Sequence, residues 1–469
     1  MKSASLPMTL KTNELTLFGI KFKQKVSKPR IGRLLVFIFS LLTFWACPKP
    51  EPIIEPPRDT TIHLELIDTW TTSVTLKISV EDTTEAWNFA LSRNGSIVHE
   101  GFVDKADTVL VDEGLGVATD YSYSAYFIEN ANIKDSSLTI TTTTMDTTSH
   151  DFTWTIDTLG TYGGRLNDVH IVNEDDIWVV GQIIMDDPDS SWNGTGTETF
   201  NAAHWDGIEW EMIKISNGTA EAKAIHYFSE DDIWSTYGGY PAYWDGNEWK
   251  WYHLHSMGID AGIITSIWGT SSDNMYFVGY NGGIVHYDGS EFVKINCDVD
   301  TDFIDVVGTP DGEHVFIVGN PAGRIGGEML LQMNGNTLEW QKVQFPFKST
   351  ATPNFWSVDL CNNEIFIPVL FEGIWTFNYD NNNSNLDRNI PRLDRLYKST
   401  KVVAENDIMF CGSKMDYIHF NGMTYKYVSD DGVYDPNFRM RGGDYNGEVV
   451  VMVGETFSSS RAIITRGQR

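Results

Sequence analysis

The sequence predicts an all-β chain: a β-sandwich of short strands followed by a β-propeller. Three observations predict it. Residues 59–146 alternate apolar and polar residues in short runs separated by turn signals. From residue 150 to the end, one pattern recurs with a period near 43 residues. And the composition, 41% apolar and 13% aromatic with 16 Trp, is rich enough to fill several cores over 469 residues. Acidic residues outnumber basic ones 64 to 34, a net charge of −30, which repels a nucleic-acid backbone and excludes nucleic acid as a partner. Four Cys do not make a disulfide scaffold.

The N-terminus is expected to be an address. Residues 1–46 carry eight basic residues and one acid, Glu14, and end in an apolar run, Leu34–Ala46. That run is too short to span a bilayer, which needs ~20 residues, and suits an export signal, which needs ~7–15. A basic region, a short apolar core, Ala46 and then Cys47 resemble a bacterial lipoprotein signal. The resemblance implies lipidation of Cys47, residues 1–46 as the removed signal peptide, and attachment to the cell envelope, at the outer membrane. An ordinary secretory signal or a short anchor are the other readings, and the start codon could be Met8 or later. Residues 47–58 hold five Pro after Cys47, a semi-rigid spacer in extended conformation. Without residues 1–46 the chain keeps 26 basic and 63 acidic residues, net −37.

The segment 59–146 reads as seven short strands, with Asn94-Gly95 as a two-residue hairpin turn. Leu115–Tyr121 (LGVATDY) resembles the fibronectin type III pattern Leu-x-Pro-x-Thr-x-Tyr, with Val117 in place of Pro. The resemblance implies a sandwich with Tyr121 at a corner before the sixth strand. The Trp usual in its second strand is absent, so Leu76 or Ile78 must fill that place. Such modules are mostly spacers.

The repeats occupy 150–469. Each unit has a polar-aliphatic pair, then an Asp-Ile-Trp-like strand, then aromatic-Asp-Gly, then Glu-Trp. The first reads Asp176–Gly181, Trp205-Asp206-Gly207 and Glu209-Trp210; the second reads Asp232–Tyr237, Trp244-Asp245-Gly246 and Glu248-Trp249. Four short strands per unit make a propeller blade, and stacking in a ring covers the blade faces. The Asp-Gly and Asn-Gly pairs are expected to be tight hairpins with positive φ at both central positions. The aromatics flanking them are expected to pack across paired strands. The seventh unit lacks its fourth strand, and Phe152–Ile156 can supply it. That gives seven blades closed by the strand at 152–158; six or eight remain alternatives, since the fifth unit is degenerate. The whole arrangement resembles Bacteroidota-like lipoproteins with a short sandwich domain and a propeller of Asp-x-Trp / Trp-Asp-Gly repeats. Some of those carry a glycosyltransferase label.

No catalytic motif stands out, and no cofactor is expected: there is no Walker loop and no Gly-rich dinucleotide turn. The repeated Asp of Asp-Ile-Trp (Asp176, Asp232, Asp407) reads as a turn residue. Asp298, Asp300 and Asp302 open like a calcium loop but lack its Gly and its bidentate Glu, so they are only weak metal candidates. His253 and His255 alternate near Trp249 and Trp251 without a third ligand. One disulfide among Cys297, Cys361 and Cys411 stays open. Propellers bind ligands at the channel or on loops joining different blades. The candidate loops are 237–240, 280–283 and 320–327, with Tyr237, Tyr240, Tyr280 and Arg324 as ligand-binding candidates. The expected function is a non-enzymatic binding module for a glycan or an envelope protein. The alternative is a carbohydrate-active enzyme using acidic and aromatic loops, for which a carboxylate pair in one cleft would be the mark.

Overall fold

The computed structural model describes residues 62–81, 86–103, 107–129, 131–187, 196–297, 299, 301–320, 329–343, 355–369, 373–387, 397–427, 435–458 and 460–469. Cys47, Asp298, Asp300 and Arg324 lie outside them, as do the signal and spacer segments.

The first folded part pairs eight strands into two sheets. They are β1 (Ile62–Thr69), β2 (Ser73–Val80), β3 (Trp87–Arg93), β4 (Ser96–Val103), β5 (Asp107–Glu113), β6 (Asp120–Glu129), β7 (Asn132–Ser136) and β8 (Ile140–Thr143). One sheet runs β1-β2-β5; the other runs β4-β3-β6-β7, with β8 also on β6. The expected seventh strand is β8, and β7 is an eighth strand that the seven expected runs did not include. Inward residues alternate along β2: Val74, Leu76 and Ile78 are fully buried, and they pack on Trp87, Phe89, Leu91 and Tyr123. Leu76 and Ile78 together fill the place expected of one of them. Asn94 (φ 49) and Gly95 (φ 79) turn β3 into β4 with both residues left-handed, as a two-residue turn requires. The Gly116 amide donates to the Tyr121 hydroxyl at 2.8 Å, so Tyr121 pins the corner before β6.

The rest is a ring of seven four-stranded antiparallel sheets. Each blade's strands are lettered a to d from the channel outward. Blades one to six span 165–213, 225–251, 264–294, 302–342, 359–387 and 397–427. Blade seven takes strands a to c from 438–468 and its strand d from β9 (Thr153–Leu159), with Ile464 opposite Asp157 and Gln468 opposite Thr153. The expected closure is therefore present. Seven gaps between blades hold seven separate apolar clusters. The largest side chains in them include Trp234, Trp375 and Phe277, all almost wholly buried.

The c–d turns differ from expectation. Trp205 pairs with Trp210, Trp244 with Trp249 and Tyr287 with Phe292, so four residues separate the strands. Only the Gly is left-handed (Gly207 φ 88, Gly246 φ 81, Gly289 φ 85). The preceding Asp holds the turn with its side chain: Asp245 Oδ1 accepts from the amides of Asn247 and Glu248 at 3.0 and 2.9 Å. The flanking rings do pack, at 5.6 Å between Trp205 and Trp210 and 5.8 Å between Trp244 and Trp249.

The sandwich is bonded to the a–b and c–d turns of blade six. Thr71 donates to the Gly422 carbonyl. The Asn406 amide donates to the Asp146 carbonyl at 2.7 Å, and that of Asn421 to the Thr148 carbonyl at 3.2 Å. His150 Nδ1 meets His419 Nδ1 at 2.7 Å. The b–c and d–a connections lie on the opposite face of the ring, as the antiparallel order dictates.

Candidate functional site, the central channel and its mouth

Strand a of every blade lines a central cavity of about 420 Å³. It has layers, because each strand a starts at the b–c face and ends at the turn face.

At the b–c face the mouth is cationic and aromatic. Lys223, Tyr280, Trp356, Lys398 and Arg441 line it. Glu221 accepts from Arg165 at 2.6 Å and Lys223 at 2.7 Å, and Glu455 accepts from Arg441 at 2.7 Å, with Arg439 at 3.8 Å. The mouth thus gathers five cations against two carboxylates. Lys398 is the cation without a carboxylate within ion-pair distance among the described residues; its ammonium lies 4.9 Å from the Trp356 ring centre. Burial, then the Arg439 and Arg441 charges, push the Lys398 ammonium down to about 8, against the pull of Glu455.

Three residues further along the strands sits a carboxylate ring. Each of its four Asp accepts a backbone N–H of the next blade. Asp168 takes that of Ile225 at 3.0 Å and Asp305 that of Val358 at 3.0 Å. Asp359 takes that of Val402 at 2.7 Å and Asp444 that of Ile171 at 2.8 Å. The Lys401 ammonium lies among them, 3.6 Å from Asp444. Its side chain is 40% exposed and lines the cavity. Burial opposes its charge, and the four carboxylates outweigh burial and hold it above the ordinary lysine range. Burial raises Asp168 to about 7 and Asp359 to about 6. Asp444 goes the other way: burial acts against it, but Lys401, His170 and two backbone amides hold it below its usual value. These carboxylates gather in one cavity, as a carbohydrate-active site would need. Their hydrogen bonds assign them instead to tying neighbouring blades together. Beyond the ring, towards the turn face, His170 and His226 lie 6.3 Å apart, both pushed down by burial, His226 to about 3.

The sequence candidates separate. Tyr280 stands at the mouth, 36% exposed. Tyr237 and Tyr240 face each other across a Gly-Gly hairpin and pack with Trp251 and His253, Tyr240 stacking on His253 at 4.4 Å. They are away from the channel. The loops that carry them join strands b and c of one blade, not strands of different blades; they share a face with the inter-blade connections all the same. Asp302 accepts from the Asn281 amide at 3.1 Å, and the described residues hold no group of three or more His, Cys, Asp or Glu arranged for a metal. His253 Nδ1 is engaged by Ser256 at 2.7 Å. Cys361 and Cys411 are free thiols, that of Cys411 buried; Cys297 is buried too, its thiol donating to the Gly282 carbonyl at 3.7 Å.

Two sets of residues were missed. The Asp of Asp-Ile-Trp does more than turn the chain. Asp176 bonds His204 and Asp407 bonds His419, each at 2.8 Å, while Asn274 bonds His286 at 2.7 Å. The signal was a His directly before the aromatic-Asp-Gly triplet in blades one, three and six. The mouth cations gave no comparable signal, because they recur in no repeat.

No family model matches the chain, and no curated protein matches it by sequence. Among solved structures it is similar to YCF48 bound to D1 peptide, at 13% identity over 69% of this chain and 97% of that one, TM-score 0.49. It is similar to YCF48 from Cyanidioschyzon merolae, at 10% identity over 67% and 98%, TM-score 0.45. It is also similar to BBS1N in complex with ARL6DN, at 13% identity over 68% and 96%, TM-score 0.43. These likenesses concern the course of the chain alone.

Proposed function

We propose that the chain is an exported, lipid-anchored envelope protein that binds its ligand, without turnover, on the b–c face of the propeller. One observation carries this reading: the sandwich is bonded to the turn face of blade six, so it does not cover the opposite face, which holds the channel mouth. The sandwich acts as a fibronectin type III-like spacer; its strand order and the Tyr121 corner support that.

Envelope binding by face variants tests the reading. In the chain without residues 1–47, which carries no lipid, Tyr280→Ala with Arg441→Gln is expected to abolish retention on isolated envelope fractions. Ile208→Ala, an exposed residue in a turn-face loop, is expected to leave it intact. Equal loss in both, or in neither, would refute it. Cys47→Ser is expected to move the protein from the membrane to the soluble fraction.

A further inference from the structure

Among the described residues the mouth carries more positive than negative charge. Five cations face two carboxylates there, in a chain of net charge −30. Burying an unpaired ammonium is costly, and proteins keep one where a partner arrives to pair it. Lys398 is such a group: partly buried, without a carboxylate within ion-pair distance among the described residues, its ammonium near Trp356 and its side chain lining the cavity. Directly beneath lie the four aspartates. Their backbone bonds use one lone pair of an oxygen that has two. They repel a second anion and accept hydroxyl hydrogens.

We propose that the mouth binds the terminal uronic acid residue of a glycan, with its carboxylate on Lys398 and Arg441, its ring against Trp356 and Tyr280, and its hydroxyls towards the aspartate ring. This rests on the b–c face being the ligand face and adds the ligand's chemistry. The carboxylate matches the surplus positive charge through charge-assisted hydrogen bonds. A pyranose offers one flatter apolar face for an aromatic ring. A peptide carboxylate would match the cations but bring no cluster of hydroxyl donors to the acids below. The 420 Å³ cavity falls within the ~300–1,000 Å³ usual for small-ligand sites.

The test is calorimetric titration of the chain without its export segment. The ligands are glucuronic acid, galacturonic acid and their short oligomers; the comparators are glucose, galactose, inorganic phosphate and an unrelated peptide with a free C-terminus. A uronate is expected to bind at least tenfold tighter than its neutral parent, and binding should weaken with salt. Lys398→Met and Lys398→Gln should each cost tenfold or more with the thermal midpoint held. Lys250→Met, which removes a turn-face cation paired with Asp245, should change nothing. Equal binding of acid and neutral sugars, indifference to Lys398, or no uronate binding at all would overturn the proposal. Peptide or phosphate binding that depends on Lys398 would overturn the sugar class and leave the b–c face reading standing. The envelope-retention variants judge that reading separately.

Discussion

Asp305 concentrates the logic of the ring in one side chain. Its carboxylate accepts from the amides of Val306 and Val358 and from the Ser266 hydroxyl, each at 3.0 Å, so it joins blades three, four and five. Asp305→Ala would strand the buried Val358 amide. We expect a loss of about 3 kcal/mol, since hydrogen bonds to charged groups contribute ~1.5–3 kcal/mol and a buried orphan adds its own cost. A urea unfolding midpoint checks it; an unchanged midpoint would show the tie to be dispensable. His150 offers a second prediction at this scale. Burial first, then His419, Lys426 and Arg469, hold its imidazole down to about 4, with Asp151 opposing and Asp407 and Tyr445 beyond His419. An unfolded His titrates near ~6.5. The folded value is depressed, so this stabilisation is complete above ~6.5 and is lost as pH falls towards about 4. His150→Gln should flatten the stability slope in that window. A slope unchanged by the substitution would place the titration elsewhere. Single residues were also where the sequence was least legible. Tyr121 could be read because a seven-residue pattern surrounds it. Lys398 could not, because its meaning comes from Trp356, Arg439 and Arg441, which three blades bring to it.

At the scale of elements, strands and gaps between blades were legible, and turn chemistry only partly. Asn94-Gly95 follows the two-residue rule, while Asp245-Gly246 does not, although both read as the same signal. The difference is the residue count to the next paired aromatic: Trp249 pairs with Trp244, which makes the loop four residues long and frees the Asp side chain to cap it. Gly246 is the left-handed position there, at φ 81, and a Cβ on it would stand 2.5 Å from Asp231 Oδ1. Gly246→Ala should therefore cost about 1–2 kcal/mol, the usual strain of a left-handed residue with a side chain. Thermal denaturation of the variant measures this, and a neutral effect would mean the turn can flip to a right-handed form. β7 had little signal in the alternation, because Asn132–Ser136 carries a single apolar residue, Ile133.

At the scale of the molecule, the blade number was legible because the count of fourth strands came out one short and a stray strand preceded the first repeat. The channel was not, since it is assembled from seven strands spread over 280 residues, from Arg165 to Asp444. The closure makes its own prediction. A chain beginning at Gly160 would leave strand c of blade seven, 462–468, with an open edge where β9 pairs in the complete chain. It should aggregate or run as an oligomer in size-exclusion chromatography. A monomer with native near-UV dichroism would show that the ring holds without its clasp.

The clasp also lies on the path that any pull from the N-terminal side of the chain must take. Such tension would reach β9 only after the sandwich and the linker behind it. Before that point the load meets the Asn406, Asn421 and His150 bonds, which fix the linker to blade six. That joint works as a strain relief does on a cable. It passes the force into the body of the ring and spares the seam at which the ring would unzip.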